Sequence, residues 1–352
     1  EGAGLDEPVE HIRFEGLHFR HATWLRPNTS SGHSDAQNNV IRERFTVGGS
    51  PSFDDYPKYP EWIDGQAAVV LRTAARHIEF ERNVFSQLGH IGILMLRGSQ
   101  HNLVRGNTFV DISAQGVQIG GDDYDRGVPD LFYPDDERKL LRNNDVLHNY
   151  FEQVAVEYRS AAAIGASYPV DTNIENNTMV DLPYSGIHAG WGWSYIGGPN
   201  QGQTGSVPSA DPPPTGGNSI RFNRIENVMQ ELVDGGAIYT LGRQSSTSYI
   251  TDNYIYGQRN EYGAIYPDEG SNLYAIRDNV IEDSVRWLHI HTGSIQDNRI
   301  TGNFTDTGRI TFNGTNNELS GNTVVTGGNW PQRAIGIREA SGVGPGYADI
   351  VP

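Results

Sequence analysis

Two acidic segments flanking a run of aromatic and histidine side chains are the part of this chain best equipped for chemistry. Asp234 stands in VDGGAIY, and Asp268 and Glu269 stand in YPDEGS. Two carboxyl groups about 5 to 9.5 Å apart can break an acetal: one protonates the departing oxygen while the other attacks or activates water. Each segment also has a plainer reading. Aspartate before Gly-Gly is a common turn, and Asp268–Glu269 before Gly270 reads equally as a solvated turn. Their joint position beside His188, Tyr239 and Tyr266 favours the chemical reading.

Strands must position these groups. Segments opening on glycine recur as GILML (92–96), GVQIGG (116–121), GIHAGWGW (186–193), GAIYTLG (236–242) and GAIYPDEG (263–270). Period-two alternation sends Ile187, Ile238 and Ile265 inward as one aliphatic column and His188, Tyr239 and Tyr266 outward. Asp268 shares the outward face with Tyr266, and Gln118 is the matching outward residue of an earlier coil. Neighbouring coils about 4.8 Å apart can then meet around one sugar ring. Asp234 precedes its strand and Asp268 follows the next, so a strand length separates them unless a twist or bulge at Gly235–Gly236 closes the gap.

Trp191, Trp193, Tyr184, Tyr239 and Tyr266 suit stacking on pyranose faces, with packing against the wall as the alternative. His188 reads as a hydrogen-bonding neighbour. His90, in LGHIGI, is expected to border the same cleft. Glu157, in VAVEYRS, is either an outward acid of the site or a surface glutamate.

The scaffold is written in a repeated asparagine phrase, roughly N-x-I-x-x-N-x-[IFV]. Nine copies end at Asn83, Asn107, Asn149, Asn177, Asn223, Asn253, Asn279, Asn298 and Asn322, in steps of 24, 42, 28, 46, 30, 26, 19 and 24 residues. Steps of 20 to 30 that stretch without losing phase mark a solenoid with loop insertions. Asparagine tolerates left-handed backbone, which suits a tight bend between strands, and its amides can hydrogen-bond along a stack. Gly16 takes the asparagine slot of an opening coil. The expected fold is all-β, a right-handed parallel β-helix; a sandwich would not hold nine copies in one phase.

At 352 residues the chain is read as one solenoid domain (1–352), with insertions at 25–66, 121–143 and 191–218 and a C-terminal cap or tail at 327–352. Insertions on a solenoid cluster on one face, often the binding face, and the last rung needs a cap. The formal charge of −17 leaves no basic nucleic-acid footprint, and no transmembrane stretch occurs. There are no cysteines, and only two lysines, Lys58 and Lys139, against 24 arginines. No P-loop, dinucleotide fingerprint or HExxH occurs, so no cofactor is expected. DDYD at 122–125 could hold calcium, though a solvated loop is the simpler reading. His289 and His291 in WLHIHTG could hold a metal, with a surface pair as the simpler reading, and no metal is expected.

HIRFEGLHFRHATW, GIHAGWGW, DGGAIYTLG and IYPDEGS, in that order, resemble the glycoside hydrolase family 141 group, itself similar to other β-helix glycosidases such as family 120. The likeness spans about residues 9 to 326. It implies hydrolysis of a plant or microbial glycan, with Asp234 and either Asp268 or Glu269 as the carboxylate pair. Relatives act on fucosides and xylans, so it does not fix the sugar. It also implies an extracellular or periplasmic location, and an N-terminal segment that this chain would lack or receive from a second chain. Two alternatives stay open. A polysaccharide lyase would use Arg97, Arg243 or His188 as base, because the lysines lie in loops. A non-catalytic glycan-binding β-helix would use the aromatics alone.

Overall fold

The alternating β-branched and aromatic residues of each phrase form strands too short to bury a core alone, so each must stack on its neighbours. A computed structural model describes residues 1–24, 41–42, 62–63, 66–121, 134–193 and 211–352. Three long parallel sheets, of ten, ten and nine strands, run the length of the molecule, with successive coils hydrogen-bonded as neighbours. One coil illustrates the path: Asn173–Glu175, Thr178–Val180 and Ile187–Gly190 each join a different sheet before the chain returns at Ser219–Arg221. The fold is a parallel β-helix, as the repeat predicts.

The core is a set of columns. Ile174, Ile220, Ile250, Ile276 and Ile300 stack in register. Phe19, Phe85, Phe109 and Phe151 stack face to face with centroids 4.7 to 4.8 Å apart. Ile187, Ile238 and Ile265 form the expected inward column of the nine-stranded sheet.

The asparagine ladder is present, with three corrections. The left-handed residue is not the asparagine but the one before it: Arg82, Gly106, His148, Asn176, Phe222, Asp252 and Asp278 all have φ between 51° and 64°. Asparagine is needed instead for its amide, which is buried. Asn149 Nδ2, for example, donates to Asn177 Oδ1 at 3.0 Å and to the Val104 carbonyl at 2.9 Å. Second, Asn298 lies on a different ladder. Asn279 donates to Asn303, which donates to Asn322, while Asn298 donates to Asn317. Both ladders have the same partner spacing within a coil, as in Asn102 with Asn107 and Asn298 with Asn303. Third, the opening coil places Leu17 in the slot, its amide donating to Asn83 Oδ1 at 2.9 Å; Gly16 is the bend residue, with φ 67°.

The C-terminal segment does not cover the last rung, where Val324 stays 50% exposed. A helix, Gln332–Ala340, packs on Tyr254 and Val280. The chain then runs back across the coil corners as a strap. Gly342 N donates to the Phe222 carbonyl, Val343 N to Thr178 Oγ1, Gly344 N to His148 Nδ1, and Tyr347 Oη to Glu81.

Of the expected insertions, residues 25–40, 43–61, 64–65, 122–133 and 194–210 lie outside the described residues, including DDYD at 122–125 and Lys58. Each excursion leaves the chain next to a strand of the nine-stranded sheet: before Ala67–Leu71, after Val117–Ile119 and after Ile187–Gly190.

Candidate active site

The site forms on the outer face of the nine-stranded sheet. His188, Tyr239 and Tyr266 are in direct register there, with Gln118 two coils earlier, opposite Gly165. Each ring meets the next edge to face, at 4.8 Å for His188–Tyr239 and 5.1 Å for Tyr239–Tyr266. The column is covered rather than open. Tyr239 and Tyr266 are buried in a cluster with Trp191 and Leu241, edged by Trp193, Tyr168 and Tyr262.

Asp268 lies at the end of the Ile265–Pro267 strand with its carboxylate turned into this cluster. Tyr239 Oη donates to its Oδ2 in a very short bond, and Tyr266 Oη is 3.2 Å from its Oδ1. His291 Nδ1 is 3.6 Å from the same oxygen. Burial pushes the Asp268 carboxyl up, to about 6, and the charge of Asp234 adds to the rise; the Tyr239 hydroxyl, the Glu269 amide and His291 pull the other way. Burial and Asp268 in turn push the Tyr239 and Tyr266 hydroxyls far above the ordinary phenol value, so both stay donors. Among the described residues no arginine or lysine pairs with Asp268. Lys139 pairs with Asp135 instead.

Asp234 occupies an exposed turn with φ 60°. The feared lateral gap is bridged by Tyr266, whose hydroxyl is 3.2 Å from Asp234 Oδ1. One phenol therefore contacts both carboxylates. The turn is fixed from below, where Tyr184 Oη donates to the Asp234 carbonyl at 2.5 Å. Gly235 makes this possible, because a Cβ there would sit 2.6 Å from the Tyr184 ring. At Gly236 a Cβ would meet the Gly263 carbonyl at 2.6 Å. The two glycines thus allow close approach of a ring and of the next strand.

Several candidates have other placements. Tyr184 belongs to the main core and holds the Asp234 turn, so it is no stacking platform. Trp191 is buried and packs on Trp193 with ring centroids 4.7 Å apart; Trp193 is the half-buried member. Gln118 is buried and donates to the Gly120 carbonyl at 2.7 Å. His90 sits in a separate cluster, against Trp24 and Tyr158 and bonded to the Gln66 carbonyl. Glu157 lies on an exposed bend outside any strand and accepts from Ser113 Oγ at 3.0 Å. Glu269 is half-buried; its carbonyl accepts from Gly242 N, and no hydrogen bond joins its carboxylate to the ring column among the described residues. Alternation explains the choice between the adjacent acids, since only one of them can share the face of Tyr266.

His289, His291 and Tyr262 extend the site beyond the expected set. Leu288 stacks on Ile265, so His289 falls beside Tyr266 at 4.6 Å and His291 beside Asp268. Tyr262 stacks on Tyr266 at 5.7 Å. Continuing the alternation one coil further, through WLHIH, would have found both histidines. Burial drives the His289 imidazole down to about 4, with His291 and Arg286 adding to it. Among the described residues no group of three or more histidine, aspartate or glutamate side chains is arranged to hold a metal ion.

No protein-family model and no curated protein sequence matches the chain. A solved structure described as a glycoside hydrolase does, with a TM-score of 0.67 and 27% sequence identity. The match covers 98% of this chain and 52% of that one, so the chain spans about half the length of that structure. Among the described residues, no helix is long and apolar enough to cross a membrane.

Proposed function

We propose that this chain is a glycosidase acting on a plant or microbial glycan, with Asp268 as general acid and Asp234 as its partner carboxylate. The observation that carries the reading is the Tyr266 hydroxyl held 3.2 Å from both acids. It joins a buried carboxyl that keeps its proton to about pH 6 and a solvent-facing one. Such a split of environments assigns acid and base roles in glycosidases. Asp268 protonates the leaving glycosidic oxygen. Asp234 attacks the anomeric carbon; its Oδ1 lies within twice 3.2 Å of Asp268 Oδ1, which is compatible with the separation of about 5 to 5.5 Å between the carboxyl groups of double-displacement enzymes. Tyr239 and His291 hold Asp268, and Trp193 is the ring left partly open to a sugar.

The glycoside hydrolase likeness and the motif resemblance to family 141 support the same reading, with fucosides and xylans as the first substrates to examine and an extracellular location. A screen of chromogenic glycosides and plant polysaccharides, run on the wild type, Asp234→Asn and Asp268→Asn, tests it. Turnover lost in both folded variants is expected. Full activity in Asp234→Asn refutes the pair, and an ultraviolet-absorbing product would mean a lyase instead.

A further inference from the structure

A phenol has one hydrogen to donate, yet Tyr266 Oη is 3.2 Å from Asp234 Oδ1 and 3.2 Å from Asp268 Oδ1. With both carboxyl groups ionised, one oxygen would face a phenol lone pair across that distance, in a setting where Asp268 is almost fully buried. When Tyr266 donates to Asp234 the unmade bond falls on the buried Asp268 carboxylate, which is costly; when it donates to Asp268 the phenol turns a lone pair to Asp234, which repels its charge. Ionising the phenol is no escape, since burial and both carboxylates oppose it. The arrangement closes when one carboxyl carries a proton. Its O–H donates to Tyr266 Oη, and Tyr266 donates to the other carboxylate. Asp268 is the buried member and Asp234 the exposed one, so the proton rests on Asp268 and the charge on Asp234.

We infer that Asp268, Tyr266 and Asp234 hold one proton in common, with Tyr266 as the positioning residue that lets it pass between the acids. The transfer is balanced. The Asp268 O–H bond breaks as a new O–H forms on Tyr266 Oη; the original Tyr266 O–H breaks as one forms on Asp234. The phenol is neutral before and after, and the net charge does not change. The inference rests on the proposed carboxylate pair and deepens it. Once Asp268 has protonated a leaving group and Asp234 is tied to the sugar, the Tyr266 hydroxyl turns to the Asp268 carboxylate, which must then activate water.

Among the described residues, the groups facing Asp268 are Tyr239 from the preceding strand, Tyr266 from its own, the Glu269 amide, His291 from the following coil at 3.6 Å, and Asp234 beyond Tyr266. His291 Nδ1 is also 3.5 Å from Tyr266 Oη, which makes it the rival carrier.

The test is a titration that needs no substrate. Protein labelled with ¹³C at the aspartate carboxyl carbons is followed by NMR, with the Asp268 signal assigned by its loss in Asp268→Asn. Asp234→Asn is expected to lower the Asp268 midpoint by about one pH unit or more, and by clearly less in a Tyr266→Phe background, where only the through-space term survives. Tyr239→Phe, which removes a donor to Asp268 alone, should raise the midpoint and leave the Asp234→Asn displacement intact. An equal displacement with and without the Tyr266 hydroxyl overturns the inference. So does a wild-type midpoint at the ordinary aspartate value, or loss of the coupling in His291→Gln with Tyr266 in place. Should Tyr266→Phe fail to fold, 3-fluorotyrosine at position 266 is a stronger donor of the same shape; an unmoved Asp268 midpoint overturns the inference there too. Coupling that persists in a protein inactive on every glycoside would remove the glycosidase reading and leave the shared proton standing.

Discussion

Replacing Asn177 by alanine tests the asparagine ladder at its most buried stretch. Asn177 Nδ2 donates to the Val146 carbonyl at 2.9 Å and to Asn223 Oδ1 at 3.0 Å; its Oδ1 accepts from Asn149 N at 2.9 Å and Asn149 Nδ2 at 3.0 Å. Two of the four partners keep another bond: Asn223 Oδ1 still accepts from Asn177 N, and Asn149 Nδ2 still donates to Val104. Of the other two, the Val146 carbonyl lies in the strand Asp145–Leu147, which is paired on both sides, and the Asn149 amide is the group left stranded. At about 1 to 3 kcal/mol for a buried polar group so stranded, the cost is about 1 to 3 kcal/mol. Asn322, in the last rung, makes the same kind of bonds but is half-exposed. Water replaces its partners, so Asn322→Ala should cost under about 1 kcal/mol. Urea unfolding followed by circular dichroism gives the two values. Hydrogen exchange at the Asn149 amide locates the defect, which should show there as faster exchange. Equal losses at the two positions, or an Asn149 amide as protected as in the wild type, would refute the ladder as a stabilising device.

Asp234→Asn and Asp268→Asn should each lower turnover by at least a thousandfold with the circular dichroism spectrum unchanged, whereas Glu269→Gln should keep most of it. Activity should fall as pH rises through about 6, because Asp268 then loses the proton it donates; a profile flat to pH 8 would contradict the assignment. The same raised value has a stability consequence. Keeping Asp268 neutral supports the fold at low pH, and that support fades as pH rises through about 6, so Asp268→Asn should melt higher than wild type at pH 8 in a thermal scan. Proton NMR of the first-formed sugar should show the anomer of the substrate, as double displacement requires. Burial holds His148 below its usual value, with Arg105 adding to it, and its Nδ1 accepts from Gly344 N. The unfolded chain therefore takes up this proton first as pH falls below about 6.5, which weakens the strap. Exchange at the Gly344 amide should accelerate from pH 7 to 5 in wild type and not in His148→Gln.

The architecture was legible because the phrase carries both its apolar columns and its amides on one repeat. Register followed from alternation, which is why His188, Tyr239 and Tyr266 fall in one line. The Asn298 slip came from the phrase itself, which holds two ladder asparagines at a fixed interval; a copy with its second asparagine in TGNF reads equally well with the first. Backbone conformation was assigned to the wrong neighbour for a related reason: propensity marks asparagine as a bend former, while the buried amide needs it just after the bend. Burial of the ring column was not legible at all. Outward means only away from the helix core, and Trp191 and Leu241 cover that face from the following residues of neighbouring strands. The bridge from Asp234 to Asp268 depends on a tyrosine side chain spanning a strand width, a tertiary distance that no spacing encodes.

A stack in which each layer touches only the next is a one-dimensional object, and its ends open independently of its middle. The return of residues 341–350 along the corners changes that. Asp349 pairs with Arg82 at 2.6 Å, and Ser341 bonds the Asp252 carbonyl at 3.1 Å. Residues 341–350 are thus fastened to coils distant in sequence, and fraying of the coil that carries Glu81 and Arg82 must also dislodge this strap. The rungs carrying Asp234 and Asp268 lie near the far end of this fastening, so rigidity there is set partly by contacts with the opposite end of the chain.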